Sequence, residues 1–160
     1  MPKSKAKATG AIEMLKEDHA KVKKAFKEFE KMDRSDTETC RQVVRTVCEE
    51  LRVHTTLEEE LFYPAVREAI EDEDIMNEAA VEHETAKMLI DQLENMDADD
   101  PNYYATFTVL GEYVMHHVKE EEGEMFPQAK KAEGLDLAAL GEQMRARKGE
   151  LVGQAEKAAA

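Results

Sequence analysis

The sequence contains no tryptophan, two cysteines, four prolines and seven glycines among its 160 residues, and only 6% of it is aromatic. This scarcity of helix breakers and of aromatic residues, beside long runs of Glu, Lys, Ala, Leu and Met, predicts an all-α protein. Cys40 and Cys48 lie on one predicted helix, about 12 Å apart along its axis, which is too far for a disulfide. We interpret both as small, half-buried hydrophobic residues in a reducing cytosol, in preference to a redox role.

Positive charge and long apolar segments are also scarce. The 22 Lys and Arg residues face 36 Asp and Glu residues, for a net charge of −14. This balance disfavours nucleic acid and anionic membrane surfaces as partners. No apolar run approaches the roughly 20 residues that span a bilayer, and residues 1–9 lack the apolar core of a secretory signal. We expect a cytoplasmic protein with a disordered basic tail over residues 1–9.

One sequence pattern occurs twice and organises the rest of the chain. The first copy is HTTLEEELFYP from His54, and the second is HVKEEEGEMFP from His117. In both copies a glutamate follows the histidine by four residues, at Glu58 and Glu121, and a proline follows it by ten. Residues four apart lie on the same helix face. Each copy therefore presents an imidazole and a carboxylate on one side of a helix.

Apolar residues recur at spacings of three and four over four long segments, which predicts four amphipathic helices. The predicted bounds are residues 10–32, 36–70, 75–96 and 101–131. A further short helix over residues 136–151 and a frayed tail are expected within residues 133–160.

Polar residues at the ends of these segments predict where each helix begins. The predicted N-caps are Ser35, Asp74 and Asp100, the last with Pro101 at the first helical position. Pro64 removes a backbone donor within the second helix, and a kink is expected there.

Four histidines lie on the inward stripes of the four helices. His19 precedes His54 by 35 residues, and His83 precedes His117 by 34. The chain thus consists of two similar helical hairpins. Their stacking predicts an up-down-up-down four-helix bundle over residues 10–132 with near-twofold internal symmetry.

Six ionisable side chains are therefore predicted in the core, where unpaired polar groups cost several kcal/mol, in the range of roughly 2–7 each. They are His19, His54, Glu58, His83, His117 and Glu121. Imidazole and carboxylate suit iron, manganese or zinc, and six such ligands suit two ions bridged by the glutamates. For any single histidine the alternative is a hydrogen-bonded core residue. The neighbouring glutamates, including Glu59, Glu60, Glu120 and Glu122, are interpreted as solvated surface.

His116 offers a rival register, because Glu120 follows it by four residues. Its helix face is more polar than that of His117, and only His117 repeats the ten-residue distance to a proline. We therefore predict that His116 is partly exposed.

These motifs resemble the hemerythrin-like family, the HHE cation-binding domains. The resemblance covers residues 12–131 and rests on LKEDH ending at His19, EHE around His83, and the two repeated motifs. It implies a non-heme di-iron centre, oxo- or hydroxo-bridged, held by the six residues named above. Lys87 stands where oxygen-carrying members have a fifth histidine, so the chain is more similar to the bacterial four-histidine branch. Tyr113 is a candidate to fill the space left there, and an ordinary packed tyrosine is the alternative.

The resemblance implies a protein that binds, senses or reacts with O2, NO or peroxide, or that handles iron in a stress response. Catalase-like peroxide disproportionation and iron donation to damaged centres are the alternatives. The sequence shows no separate acid, base or substrate pocket, so it leaves open whether the protein is an enzyme. It indicates no particular protein partner.

Overall fold

The structure is a computed structural model that describes residues 10–159, so the predicted tail over residues 1–9 lies outside the described residues. Its α-helices are α1 (Ala11–Glu30), α2 (Thr37–Leu57), α3 (Tyr63–Ala69), α4 (Glu73–Glu94), α5 (Tyr103–Glu120), α6 (Phe126–Lys131) and α7 (Leu137–Ala159). Two π-helical turns, Glu58–Phe62 and Glu121–Met125, connect α2 to α3 and α5 to α6. No helix within residues 10–159 is long and apolar enough to cross a membrane.

The predicted all-α bundle is confirmed. Helix α1 packs against α2 and α4 packs against α5, which gives the two expected hairpins. Two apolar clusters fill the interior. One contains Ile12, Leu15, Phe62, Met76 and Phe126, and the other contains Val22, Phe26, Leu51, Ile90 and Phe107. The predicted histidines lie between these clusters along each helix, so the polar layer is enclosed by apolar side chains above and below.

Helix α7 is longer than predicted. It spans 23 residues and continues past Leu151 to Ala159. The segment beyond Leu151 is rich in Ala, Gln, Glu and Lys, whose helix propensity outweighs the cost of about 1 kcal/mol for a glycine. The helix packs on α1 and α2 through the buried side chains of Leu140 and Met144. Arg147 also binds Glu60, with its Nε 2.8 Å from Glu60 Oε2.

The prolines widen their helices into π turns. The N–H of Tyr63 donates to the carbonyl of Glu58, and that of Phe126 donates to the carbonyl of Glu121, each five residues back. Pro64 follows Tyr63 directly, lacks an N–H and would crowd the carbonyl four residues before it. A widened turn accommodates the proline, and it places one extra residue in the turn.

The second helix is capped by Asp36 and not by Ser35 as predicted. The Asp36 side chain accepts a hydrogen bond from the N–H of Thr39 at 3.2 Å. Ser35 instead donates through both its N–H and its hydroxyl to Asp33, at 2.9 and 2.7 Å. An Asx turn at Asp33 thus engages Ser35 and makes it unavailable as a helix cap. The sequence pattern alone does not reveal this competing contact.

The two later caps also differ from prediction. The N-cap of α4 is Asp72 and not Asp74, and its side chain accepts from the N–H of Ile75 at 3.2 Å. Helix α5 begins after Asn102, because Asp100 uses its side chain to accept from the N–H of Asn102 at 2.8 Å. Pro101 therefore lies in a turn before the helix. In acidic connections several residues can serve as caps, and local turn geometry selects one.

Both cysteines are free and buried, and each residue has a relative exposure of 1%. Burial raises the pKa of the Cys48 thiol to about 12, and the nearby Glu94 acts in the same direction. The thiol is therefore neutral at ordinary pH and packs as a small hydrophobic group, as predicted.

Candidate metal centre

The structure brings all six predicted ligand side chains into one layer across the bundle. Exposure is 0% for Glu58, 1% for Glu121, 2% for His83, and 6% for His19 and His54, while 12% of the His117 side chain is exposed. His116 stays outside this layer, with 63% of its side chain exposed. The register that sets His117 inward and His116 outward is therefore the one expected from the proline spacing.

The two glutamates lie between the hairpins and contact a histidine from each. Glu58 Oε1 is 2.9 Å from His54 Nε2 and 3.3 Å from His83 Nε2. Glu121 Oε2 is 2.9 Å from His117 Nε2, and its Oε1 is 3.3 Å from His19 Nε2. The histidines form one pair in each hairpin, with a ring-centroid separation of 4.9 Å in both pairs. This is the arrangement of two histidine pairs with two carboxylates between them.

A second set of carboxylates faces the outer nitrogen, Nδ1, of every histidine. The partners are Asp18 for His54 and Glu82 for His117, both at 3.0 Å, and Glu122 for His19 and Glu59 for His83, both at 3.6 Å. The closer contacts fix the ring orientation and direct Nε2 inward, as carboxylates behind metal-binding histidines do. Sequence reasoning missed these four residues. Each of the four directly adjoins a predicted ligand in the sequence, and this adjacency is the signal that could have identified them.

Glu59 and Glu122, interpreted from the sequence as solvated surface, are partly exposed and also contact the layer. Their side chains are 35% and 36% exposed, and each places one oxygen beside a buried imidazole. Both residues directly follow an inward glutamate. The π turns that start at Glu58 and Glu121 hold these neighbours close to the layer.

Tyr63 is a further member of the layer that sequence reasoning overlooked. Its hydroxyl donates to Glu121 Oε2 at 2.5 Å and lies 3.1 Å from the Nε2 atoms of both His83 and His117. In an α-helix a residue five places after Glu58 would point well away from the centre, since successive residues turn by about 100°. The π turn brings Tyr63 back onto that face. Tyr113, the earlier candidate, is 48% exposed.

The two halves differ at the position that Tyr63 occupies. Its counterpart after the second motif is Phe126, whose ring stacks against His19 at a centroid distance of 6.0 Å and an interplanar angle of 1°. One histidine pair therefore faces a hydroxyl and the other faces an apolar ring. The two repeated motifs therefore differ in the chemistry that they bring to the centre.

Several buried polar atoms of this layer make no hydrogen bond of acceptable geometry within residues 10–159. They are His19 Nδ1, His83 Nδ1, Glu121 Oε1 and both carboxylate oxygens of Glu58. In addition, the Nε2 atoms of His19 and His54 face each other at 3.2 Å. Converging imidazole nitrogens and carboxylate oxygens without sufficient protein partners are the donor set that a divalent metal requires. Two overlapping groups are close enough to hold an ion: Glu58, His83, His117 and Glu121, and His19, His54 and Glu121.

Without metal, the layer is a strongly coupled set of charges. Burial alone would lower the pKa of His54, but the attraction of Glu58 and a hydrogen bond to Asp18 raise it to about 10. Burial opposes the charge of His117 in the same way, and hydrogen bonds to Glu121 and Glu82 raise its pKa to about 11. Burial would raise the pKa of Glu58, yet the neighbouring histidines hold it well below its usual range. At neutral pH the metal-free centre thus carries imidazolium–carboxylate pairs.

A small cavity adjoins the histidines on the side of the second apolar cluster. Its volume is about 30 Å³, and its lining is mostly apolar carbon. The lining includes all four ligand histidines together with Val22, Leu51, Ala86, Val114, Val118 and Tyr113. A cavity needs roughly 10–15 Å³ to hold one water molecule, so this space accommodates a ligand of about two heavy atoms.

Comparison with known proteins agrees with this geometry. The family description "Hemerythrin HHE cation binding domain" matches residues 10–129. A crystal structure of a hemerythrin HHE cation binding domain-containing protein from Mycobacterium kansasii has a TM-score of 0.77 and 25% identity, and covers 93% of this chain and 91% of that one. A protein named DNA nickase from Nostoc sp. (strain PCC 7120) is 27% identical over 114 residues, which are 71% of this chain. The chain spans about a third of that relative, 32% of its length.

Proposed function

Because the chain belongs to the hemerythrin HHE cation-binding domain family, we propose that it holds two iron ions in its polar layer and binds a small ligand, O2, NO or peroxide, at them. The observation that supports this most directly is the buried set of imidazoles and carboxylates with unpaired atoms beside a small apolar cavity. Such a layer is costly to bury without metal. The cavity provides a space next to the ligands that fits a diatomic molecule.

The residues of the chain have distinct tasks in this proposal. His19 and His54 would hold one ion, His83 and His117 would hold the other, and Glu58 and Glu121, which contact histidines of both pairs, would supply carboxylate ligands. When bound, iron supplies a Lewis-acidic centre that can change its redox state. The carboxylates at Nδ1 fix the imidazole orientation and raise its basicity. The apolar side chains on both sides exclude bulk water, which favours small uncharged ligands over larger polar ones.

The hydroxyl of Tyr63 gives the centre a proton donor of its own. Burial and the nearby carboxylates of Glu58 and Glu121 raise the pKa of Tyr63 well above its ordinary value, so the phenol stays protonated at neutral pH. Its single O–H already donates to Glu121 within the layer, and Tyr63 is not among the residues that line the cavity. The hydroxyl therefore supports the Glu121 carboxylate and not a ligand in the cavity. Disproportionation of peroxide is the enzymatic form of the same proposal, with oxygen release as its measurement.

The proposal is tested on purified protein by metal analysis and by visible spectroscopy. We expect about two iron ions per chain in the wild type, a clear loss of iron in His54→Ala, and no loss in the surface variant Glu28→Gln on α1, where the side chain is 66% exposed. An anaerobic, reduced sample is then exposed separately to O2 and to NO. A new absorption band with at least one gas is expected, and unchanged spectra with both would contradict ligand binding.

The activity in the name of the Nostoc relative is not favoured for this chain. Most of that protein lies outside the matched region, because the chain spans 32% of its length. A net charge of −14 also opposes contact with the phosphate backbone of DNA.

A further inference from the structure

A second cluster of ligand-type side chains lies at the surface where α4 meets α5. Glu82, His116 and Glu120 each offer one atom within 4.8 Å of the others. His116 Nε2 is 3.1 Å from Glu120 Oε1 and 3.7 Å from Glu82 Oε2. Ligands about 2.0–2.2 Å from a tetrahedral ion are about 3.3–3.6 Å apart. The two distances from His116 Nε2, 3.1 and 3.7 Å, lie just below and just above this range. The cluster lies outside the six residues of the buried layer.

The surroundings of this outer cluster favour a cation over an anion. It lies in an open depression of about 470 Å³, whose described lining is Asp74, Asn77, Glu78, Val81, Glu82, His116 and Glu120. The lining has four carboxylates and neither lysine nor arginine. A concave surface with charges of one sign raises the local concentration of counterions. The imidazole, 63% exposed, is directly accessible to a cation from solvent.

Glu82 connects this depression to the buried layer. Its Oε2 faces His116 at the surface, and its Oε1 is 3.0 Å from Nδ1 of His117. His117 in turn places its Nε2 2.9 Å from Glu121 in the layer. One carboxylate therefore contacts both the outer cluster and the back of an inner ligand. A cation held at the surface would lie within one side chain of the buried centre.

We propose that Glu82, His116 and Glu120 form an outer divalent-cation site from which the buried centre is loaded. Three protein ligands leave further coordination positions to water, which suits reversible capture. The alternative is a charged His116 that only pairs with two surface glutamates and binds no metal. The loading role rests on the proposed function, whereas binding at the outer site can be measured without it.

Binding is tested with Mn²⁺ on the iron-loaded full chain, by following the electron paramagnetic resonance signal of free Mn²⁺. The wild type is expected to bind one Mn²⁺ per chain in a saturable manner. His116→Ala and Glu120→Gln are expected to weaken this binding at least tenfold. Glu28→Gln on α1, where the side chain is 66% exposed, removes the same charge elsewhere and should leave binding unchanged. Absent saturation, or equal binding in wild type and His116→Ala, would overturn the site.

Loading is tested by mixing metal-free protein with Fe²⁺ under anaerobic conditions. His116→Ala is expected to fill the buried centre several-fold more slowly than wild type and Glu28→Gln, and to reach the same final iron content. Equal filling rates would overturn the loading role. A wild type that never retains iron would instead contradict the proposed function, and the Mn²⁺ titration would still decide the outer site on its own.

Discussion

Tyr63 and Phe126 occupy equivalent positions in the two halves of the molecule, and they differ chemically by one hydroxyl. That hydroxyl contacts His83, His117 and Glu121. Since Phe126 shows that a phenylalanine fits the same backbone setting, Tyr63→Phe removes the polar contacts with little change in packing. We expect the variant to fold and to bind metal about tenfold more weakly, the lower range of effects for partners of metal ligands. Competition with a chelator of known affinity measures this change.

The matched control for this change is Tyr103→Phe. Tyr103 is also buried, at 2% exposure, but it belongs to the second apolar cluster and not to the polar layer. Its loss of a hydroxyl should leave metal affinity unchanged. If both variants bind metal as tightly as wild type, the Tyr63 hydroxyl does not support the centre.

The six ligand candidates could be found from sequence, whereas Tyr63 could not, for a geometrical reason. His54 and Glu58 are four residues apart, and that spacing places both on one face in the ordinary α register. Tyr63 reaches the same face only because the turn after Glu58 is π-helical. Its proximity to Pro64 was a usable signal, since a proline disturbs the helix just before it. How a helix adjusts before a proline depends on packing that the sequence does not display.

Among the helices, α1 and α5 make a close approach at Gly111. A Cβ at this position would lie 2.9 Å from Cδ1 of Phe26, and the Phe26 ring is itself packed against Phe107 at 4.7 Å. Gly111→Ala gains up to about 1 kcal/mol of helix propensity, but overpacking costs about 1–3 kcal/mol. We expect a net decrease in the free energy of unfolding, measured by chemical denaturation.

Gly149 in α7 provides the opposite case. No atom lies within 4 Å of a Cβ built there, so Gly149→Ala carries the propensity gain without the steric cost. It should increase the free energy of unfolding by up to about 1 kcal/mol. A Gly111→Ala variant as stable as Gly149→Ala would show that the interface between α1 and α5 can relax.

Helix number and inward faces were predictable because apolar periodicity reports burial directly. Helix ends were less predictable from the sequence. Ser35 and Asp36 are adjacent and both are good caps, and the contact of Ser35 with Asp33 decides between them. The continuation of α7 beyond Leu151 has a different cause. The residues there are rich in Ala, Gln, Glu and Lys, whose helix propensity extends the helix where apolar periodicity gives no signal.

At the scale of the whole molecule, removal of metal should lower thermal stability. A ligand that binds only the folded chain at a hundred times its dissociation constant contributes about 2.7 kcal/mol. For a chain of this size, 1 kcal/mol shifts the melting temperature by about 2–4 °C, so metal removal should lower it by about 5–10 °C. Thermal unfolding of metal-loaded and chelator-treated protein, followed by circular dichroism, tests this. Identical melting curves would show that folding and metal binding are not linked.

The two forms should also respond to pH in opposite directions. In the metal-free form the pKa values of His54 and His117 are raised to about 10 and about 11. Their contribution to stability is fully present below the ordinary histidine pKa of about 6.5, and it is lost as pH rises through the raised values. The metal-loaded form instead loses stability in acid, because protonated histidine cannot bind metal. We therefore expect the melting temperatures of the two forms to diverge as pH rises from about 5 to about 10. Parallel pH profiles would contradict this.

The π turn after Glu58 has a consequence for the length of the chain. Removing one residue from a buried α-helix ordinarily rotates everything beyond it by about 100° and disrupts the core. Here the turn already contains one residue more than an α-helix needs to join Glu58 to Tyr63. A chain shortened by one residue within this turn would return Pro64 to an α-helical setting, in which its ring crowds the carbonyl four residues before it. The same holds for Pro127 after the second turn, so in each half we expect the deletion to be tolerated only when the proline is replaced as well.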